Sequence, residues 1–188
     1  KLDESLNLEI GVTEGPMDSR RNVVRGAESA MGNLIADAIR TQSGADIGFA
    51  NGGGIRADRT YDAGTMLTRR DILTELPFGN VTVLTELPGS QVLAVLENGV
   101  SQVEEGAGRF LQVSGLEFTY DPTAPAGSRV ASVLVAGAAL DPDKIYKVAA
   151  NDYILGGGDG FAALGGGKVL INAGNGNLMA NDVMDYIL

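Results

Sequence analysis

Four short segments of this sequence place residue types that bind ligands in predicted turns. In residues 51–56, three consecutive glycines follow an apolar stretch and lead to Arg56. Backbone amides in such a turn can approach a ligand closely, and the arginine can reach an anion. The turn lacks the lysine of a phosphate-binding P-loop and the spacing of a dinucleotide fingerprint. A purely structural turn is therefore an equally good interpretation of this segment taken alone.

The other three segments also allow both a structural and a functional interpretation. They comprise residues 76–80, 108–115 and 151–161. Phe78 lies in a turn between a predicted helix and a predicted strand, where an aromatic ring more often fills the core than binds a ligand. Residues 108–115 can simply be a loop that enters a strand. In the last segment, Tyr153 is followed by the carboxylate of Asp159, which either binds a ligand or only caps its glycine-rich turn.

Two absent residue types limit the chemistry of the chain. Its 188 residues include no histidine and no cysteine. The sequence therefore cannot form a Ser-His-Asp triad, a thiolate nucleophile, a zinc site with His or Cys ligands, or a disulfide. Carboxylate chemistry, Ser, Thr or Lys nucleophiles, metal sites with oxygen ligands and non-covalent binding remain open.

The balance of charge argues against a nucleic acid polymer as a partner. Lys and Arg number 14 and Asp and Glu number 24, which gives a net charge of −10. A surface that binds DNA or RNA needs an excess of basic residues. Ten of the basic residues are arginines, and nine of these precede residue 110. Because arginine presents a planar fork to phosphate, this bias fits a phosphate-bearing ligand, although the base composition of the genome explains it equally well.

Alternating helices and strands must position these segments. The apolar residues Met31, Leu34, Ile35, Ala38 and Ile39 recur at helical spacing before Gly44 and predict an amphipathic helix. Further helices are predicted over about 69–74, 90–106 and 178–187, and strands over 6–12, 45–50, 81–87, 116–120, 130–135 and 145–150. Residues 13–25 are polar and typical of turns.

Capping signals predict where two helices begin. Thr68 precedes Asp71 in the order of a capping box. Ser90 is predicted to cap the next helix, whose apolar face runs from Val92 to Val103. With 44% hydrophobic residues, no proline- or serine-rich linker and no apolar run of about 18 residues, the sequence predicts one mixed α/β domain without a membrane span.

Taken in order, the four segments closely resemble the C-terminal domain of the 5′-nucleotidase family. This family includes UDP-sugar hydrolases, 2′,3′-cyclic-nucleotide phosphodiesterases and ecto-5′-nucleotidases. The similarity covers nearly the whole chain, from Arg25 and the Met31-Gly32-Asn33-Leu34 helix start to residues 156–161. It implies that residues 1–188 form a single domain of mixed α and β layers, of the 5′-nucleotidase C-terminal type. It also implies that a separate N-terminal domain of the same polypeptide, absent from this chain, holds two divalent metal ions and activates water.

The resemblance also implies a role for individual residues. Phe78 and Tyr153 correspond to the aromatic walls that sandwich the base, with Tyr153 standing where several relatives have phenylalanine. Asp159 corresponds to the carboxylate that accepts hydrogen bonds from ribose, and Gly108 to a backbone position that the sugar passes closely. The remaining candidates are Asn51 and Asn80 as polar contacts to the base or to the loops, and Arg25 and Arg56 as phosphate-binding arginines, to which Arg109 is a possible addition.

The resemblance predicts a nucleotide substrate-binding domain of an enzyme that hydrolyses phosphate esters. The chain itself would contribute no catalytic residue, metal ligand or cofactor, and would be inactive alone. By resemblance, the enzyme would be periplasmic, secreted or on the cell surface. A nucleotide-binding or structural module that has lost its phosphatase partner is the alternative. The preferred base, the type of phosphate ester and the oligomeric state stay open.

Overall fold

The computed structural model of the protein describes residues 2–188. The strands of its central sheet are β3 (Ile47–Asn51), β6 (Thr82–Pro88), β7 (Leu111–Ser114), β11 (Ile145–Asn151) and β12 (Lys168–Ile171). Their spatial order is β12-β6-β11-β3-β7. β3 and β11 run parallel, whereas the other neighbouring pairs are antiparallel. The prediction of a mixed α/β architecture is therefore confirmed.

Seven further strands form three smaller sheets. They are β1 (Glu9–Val12), β2 (Met17–Asp18), β4 (Thr60–Tyr61), β5 (Met66–Thr68), β8 (Leu116–Tyr120), β9 (Val130–Val135) and β10 (Ala138–Ala139). β1 pairs with β5 and β2 pairs with β4, both antiparallel. β8, β9 and β10 form an antiparallel sheet with β9 in the middle.

The helices are α1 (Leu2–Leu6), α2 (Arg21–Val24), α3 (Ala30–Ser43), α4 (Arg69–Glu75), α5 (Gly89–Val100), α6 (Asp152–Leu155) and α7 (Met179–Ile187). α3 follows the predicted pattern closely. The Ser29 side chain accepts a hydrogen bond from the Gly32 amide at its start, and Gly44 ends it in the left-handed conformation with φ 69°. The capping box of Thr68 and Asp71 at the start of α4 is also confirmed. Within the described chain, no helix has the length and apolar character needed to cross a membrane.

The two faces of the central sheet carry separate hydrophobic clusters, because side chains alternate between the faces along a strand. Ala50 and Ala149 lie in the cluster that α3, α4 and α7 cover. Phe49 and Val148 lie in the cluster covered by α5 and by the inner side of β9. Apolar burial on both faces, at about 25 cal/mol per Å², holds the sheet as a rigid base for the loops at its edges.

The start and end of α5 differ from the prediction. Pro88, not Ser90, is the N-cap residue, and no side chain caps this helix. The chain passes directly from β6 into the helix, and the amides of Gly89 and Ser90 donate to the carbonyls of Lys144 and Pro142. These backbone bonds from a neighbouring turn replace the hydroxyl cap. The helix ends at Val100, so Val103 falls in a separate 3₁₀ turn.

The prediction from sequence also missed several secondary-structure elements. Residues 6–12 do not form one strand, because α1 ends at Leu6 and β1 begins only at Glu9. Residues 13–25 contain β2 and α2 as well as turns. β7 lies within the segment 108–115 that allowed interpretation as a loop, and β12 lies in the glycine-rich stretch near the end of the chain. Pairing with β3 and β6 forms these short strands, and such long-range partners leave no local signal.

Candidate functional site

The strand directions bring all four segments to one edge of the central sheet. β3 ends at Asn51 and the parallel strand β11 ends at Asn151, so both finish at the same edge. The antiparallel strands β7 and β6 begin there, since Leu111 pairs with Asn51 and Thr82 pairs with Asn151. The segments that precede β6 and β7 therefore join those that follow β3 and β11. Ligands of α/β sheets commonly bind at this carboxyl end of the parallel strands.

A cavity of about 450 Å³ opens at this edge. Most of the predicted site residues line it, namely Arg25, Asn51, Phe78, Asn80, Gly108, Tyr153 and Asp159. Gly53, Gly54 and Asn151 complete the lining. Arg56 and the additional candidate Arg109 lie outside this set. The structure thus brings together residues from distant parts of the chain, and their roles in binding stay a prediction.

Both aromatic side chains are exposed rather than part of the core. Phe78 is 61% exposed and Tyr153 is 51% exposed. The ring of Tyr153 lies directly against Gly158, where a Cβ atom would come within 2.5 Å of the ring. The guanidinium carbon of Arg56 lies 5.5 Å from the centroid of the Phe78 ring, which is a cation–π distance. The turn of residues 76–80 therefore presents an aromatic ring to solvent at the cavity and does not plug the core.

Hydrogen bonds link the polar side chains of the cavity into one network. Asn151 accepts from the amide of Ile154 through Oδ1 and donates through Nδ2 to Oδ1 of Asn51 at 2.8 Å. This bond directs the amide nitrogen of Asn51 towards Oδ2 of Asp159, at 3.5 Å. The Tyr153 hydroxyl donates to Oδ1 of Asp159 at 2.9 Å. The cavity therefore presents a carboxylate that the loops already hold in place.

Asp159 occupies an unusual backbone conformation. Its φ is 55°, in the left-handed region that aspartate tolerates better than most residues. The side-chain amide of Asn98 donates to its carbonyl oxygen at 3.0 Å. Anchored in this way, the residue does more than cap its own turn, because its carboxylate lines the cavity and contacts Tyr153 of its own segment and Asn51 of another.

Arg25 is a buried cation with a guanidinium nitrogen that is unpaired within residues 2–188. It is 9% exposed, and among the described residues its buried Nε has no hydrogen-bond partner. Burial lowers the pKa of Arg25, and the like charges of Arg21 and Arg56 lower this pKa further, while the charge of Asp159 opposes them. Arg21 and Arg56 therefore add positive charge near Arg25, which itself lines the cavity.

The remaining predicted residues lie at the margins of the cavity. The amide of Asn80 donates to Oδ1 of Asp152 at 2.9 Å, so this side chain ties the turn before β6 to the start of α6. The Gly108 carbonyl accepts from the Gly53 amide at 2.9 Å, and a Cβ at Gly108 would lie 3.0 Å from the Gly53 Cα. The two loops can touch only because both residues lack side chains.

Arg109 lies outside the cavity lining. Its guanidinium donates to Oδ1 of Asn98 and to the Ser101 hydroxyl. These bonds connect the loop before β7 to the end of α5. Sequence reasoning offered Arg109 as a further phosphate ligand, and the structure gives it a partner on α5 instead.

Sequence reasoning did not single out Asn151 for a role, although this residue is central to the network. Its side chain caps α6 by accepting from the Ile154 amide. An asparagine directly after an apolar strand, and before a short segment with an aromatic, is a local capping signal. This signal was available in the sequence, whereas the contact between Asn151 and Asn51 was not.

A second, apolar recess adjoins the cavity. It has a volume of about 280 Å³ and shares Asn51, Gly54, Phe78, Asn80 and Asn151 with the cavity. Its other lining residues include Leu73, Leu76, Pro77, Leu178 and Met179. Among the described residues that line it, none is charged. The side of the cavity next to Phe78 is thus its apolar side, and neither Arg25 nor Asp159 lines this recess.

The donor set of the chain does not fit a dimetal centre. Within residues 2–188, no group of three or more carboxylate, histidine or cysteine side chains lies close enough to hold a metal ion. Two metal ions that activate water would need such a group from another part of a larger protein.

Comparison with known proteins identifies the family. The sequence profile of the family described as 5′-nucleotidase, C-terminal domain, matches residues 9–166. The chain is 37% identical over 171 residues to the trifunctional nucleotide phosphoesterase protein YfkN of Bacillus subtilis, covering 86% of this chain and 12% of that protein. It is 35% identical to the cell wall protein Lmo0130 of Listeria monocytogenes, covering 87% of this chain and 22% of that protein.

A solved structure agrees with this result. The crystal structure of a 5′-nucleotidase precursor from Thermus thermophilus matches with a TM-score of 0.90 and 39% identity, covering 99% of this chain and 37% of that chain. The chain thus spans about a third or less of the length of these relatives. Both the sequence and the fold match a part of larger proteins, and the chain belongs to the 5′-nucleotidase C-terminal domain family.

Proposed function

We propose that this chain is the nucleotide-binding domain of a 5′-nucleotidase-type enzyme that hydrolyses phosphate esters of nucleotides. The observation that carries the proposal is the shared cavity. Two exposed aromatic rings, a fixed carboxylate and a buried, partly unpaired arginine line it together. These groups complement the base, the ribose and the phosphate of one ligand.

The base would stack between Phe78 and Tyr153. Stacking of a base on an aromatic side chain contributes about 1 to 3 kcal/mol and tolerates any base. The half-exposed rings lose solvent when a base binds, and the neighbouring amides of Asn51 and Asn80 can donate or accept at its edge. The aromatic pair supports a nucleotide as ligand, and the choice between bases stays open.

The ribose and the phosphate would bind on the charged side. The Asp159 carboxylate accepts charge-assisted hydrogen bonds from ribose hydroxyls, and the loop contact at Gly108 lets the sugar approach the backbone. Arg25 and Arg56 would bind the phosphate, although Arg56 must move from the Phe78 ring to do so. Because the metal partners of the phosphate would belong to another domain, AMP should bind this chain only modestly more tightly than adenosine.

Hydrolysis would need a second domain. We place the two divalent metal ions and the activated water in an N-terminal metallophosphatase domain of the same polypeptide, as in the family. An extracytoplasmic location is part of the same proposal, and a nucleic acid polymer is not proposed as a partner because the net charge is −10.

Substitution of Phe78 by alanine tests the proposal. Since the ring is exposed, Phe78→Ala should change the free energy of unfolding by less than about 1 kcal/mol, whereas a buried phenylalanine costs about 3 to 5 kcal/mol. Loss of stacking should weaken AMP binding at least about fivefold. Chemical denaturation measures the first quantity, and titration with AMP followed by protein NMR measures the second.

Tyr186→Ala is the matched control, because Tyr186 is a partly exposed aromatic residue on α7 outside the cavity. It should leave AMP binding unchanged. The wild-type chain should bind AMP in the high micromolar to millimolar range, where a millimolar Kd corresponds to about 4 kcal/mol. No binding at several millimolar AMP would contradict the proposal and favour a purely structural domain.

A further inference from the structure

The Tyr153 side chain has a polar contact that a base-stacking wall does not require. Its hydroxyl donates to Oδ1 of Asp159 at 2.9 Å. A phenylalanine ring at this position would stack equally well on a base but could not make this bond. The hydrogen bond therefore distinguishes this site from one in which both stacking residues are phenylalanine.

This hydrogen bond uses Oδ1 of Asp159, and the other carboxylate oxygen, Oδ2, remains accessible from the cavity. Asp159 Oδ2 has a long contact with the Asn51 amide, at 3.5 Å. It faces the loop contact at Gly108, where a Cβ atom would lie 3.6 Å from it. A carboxylate oxygen with free lone pairs in this place can still accept from a ligand hydroxyl.

The surrounding structure fixes the position of both partners. The Tyr153 ring lies against Gly158, which limits its rotation. The backbone of Asp159 is held by Asn98 in a left-handed conformation. Without the tyrosine hydroxyl, the carboxylate could rotate about its own side-chain bonds, and ordering it on binding would cost conformational entropy. The bond to Asp159 also raises the pKa of Tyr153, so this hydroxyl keeps its proton and remains a donor at neutral pH.

We propose that the Tyr153 hydroxyl is a positioning group that holds Asp159 ready for the ribose diol, and so increases the preference of the site for ribonucleotides. This inference rests on the proposed function. The ring of Tyr153 contacts the base, whereas its hydroxyl acts on the sugar only through Asp159. One residue thus serves both base stacking and sugar recognition.

The test compares AMP with 2′,3′-dideoxy-AMP, which keeps the base and the phosphate and lacks both ribose hydroxyls. Titrations are followed by protein NMR. The measured quantity is the Kd for 2′,3′-dideoxy-AMP divided by the Kd for AMP, so a larger ratio means a stronger preference for AMP. Hydrogen bonds to a charged group should give the wild-type chain a preference for AMP of roughly tenfold or more. Tyr153→Phe should reduce this ratio about threefold or more, mainly by weakening AMP.

A double-mutant cycle separates positioning from a merely structural effect. Asp159→Asn keeps the shape of the side chain and tolerates the left-handed backbone. In this background, Tyr153→Phe should leave the ratio unchanged, because the carboxylate that the hydroxyl positions is gone. Tyr186→Phe, which removes a hydroxyl on α7, is the matched control and should leave the ratio at its wild-type value.

Several outcomes would overturn the inference. An unchanged ratio in Tyr153→Phe would show that the hydroxyl has no part in sugar recognition. An equal weakening of both ligands would assign the effect to the ring. A change of the ratio by Tyr153→Phe that persists in the Asp159→Asn background would assign it to local structure. Absence of AMP binding by the wild-type chain would instead overturn the proposed function, and this inference with it.

Discussion

Arg25 carries a charge that the surrounding protein does not neutralise. Its side chain is buried, its Nε lacks a partner among the described residues, and two arginines add like charge. An uncompensated buried charge destabilises a folded protein. A phosphate group bound beside Arg25 would supply the missing partner, so the position is better suited to binding than to stability.

Arg25→Met should therefore affect ligand binding and folding stability in different ways. The apolar side chain keeps part of the volume and removes the charge, so the free energy of unfolding should stay the same or rise by up to about 1 kcal/mol. The modest advantage of AMP over adenosine should disappear. Thermal melts and paired titrations with the two ligands measure these effects, with Arg70→Met, an exposed arginine on α4, as the control for charge. A large loss of stability in Arg25→Met would contradict this account.

At the level of secondary structure, Glu75 connects the end of α4 to two neighbouring segments. Its carboxylate accepts from the Tyr61 hydroxyl of β4 at 2.7 Å and from the Ala57 amide at 3.3 Å. Its carbonyl accepts from the Arg56 amide at 2.8 Å. The same helix end leads into the turn that carries Phe78. Glu75 thus holds in place the loop that contains Arg56 and the start of the turn that contains Phe78.

Burial of this carboxylate has a consequence for the pH dependence of stability. Glu75 is fully buried, and burial raises its pKa even though Ser19, Tyr61 and Ala57 donate hydrogen bonds to it. The folded chain therefore holds the proton to higher pH than the unfolded chain does. As pH rises above the usual glutamate value of about 4.3, the unfolded chain loses its proton first, and the contribution of Glu75 to stability falls until the folded pKa is passed.

Glu75→Gln should remove this decline. The free energy of unfolding of the variant, relative to wild type, should increase with pH above about 4.3 and then level off. Urea denaturation at a series of pH values measures this difference in free energy of unfolding. The contributions of titratable groups that both proteins share cancel in the difference. Glu14→Gln, at an exposed position, controls for the loss of one negative charge. A flat difference for Glu75→Gln across this range would show that burial does not raise the pKa.

Across the whole molecule, the core and the site occupy different parts of one sheet. Two hydrophobic clusters hold the central sheet rigid, and the ligand groups lie on loops at its edge. The chain covers 37% of the related Thermus thermophilus structure. In the proposed arrangement, this part of the enzyme holds the nucleotide and another part carries out hydrolysis.

The chain alone should therefore release no phosphate from AMP. Metal-assisted hydrolysis needs ligands that hold the cations and lower the pKa of a bound water, and residues 2–188 contain no group suited to this. Phosphate release with added Mn²⁺ or Zn²⁺ should stay at background after rigorous purification. Turnover that follows the chain through purification would disprove this prediction. A longer protein that includes the proposed N-terminal metallophosphatase domain is the positive control.

The sequence was most informative where short-range interactions decide the structure. The spacing from Met31 to Ile39, followed by Gly44, predicted α3, and the capping box of Thr68 and Asp71 predicted the start of α4. Ser90 failed as a cap because backbone bonds from the turn near Lys144 replaced it. β12 was missed because pairing with β6 forms it. In both cases the deciding partner is distant in the sequence.

The amino-acid sequence alone established the residue types of the site, the absence of histidine and cysteine chemistry, and the family resemblance that predicts the roles of the site residues. That these residues share a cavity became evident only from the folded structure. Asn51 and Asp159 are 108 residues apart, and they meet because β3 and β11 run parallel in the middle of the sheet. The bond from Tyr153 to Asp159 depends in addition on a left-handed backbone at Asp159. Strand order and loop conformation depend on the free energy of the whole folded chain. No local sequence pattern therefore predicts them.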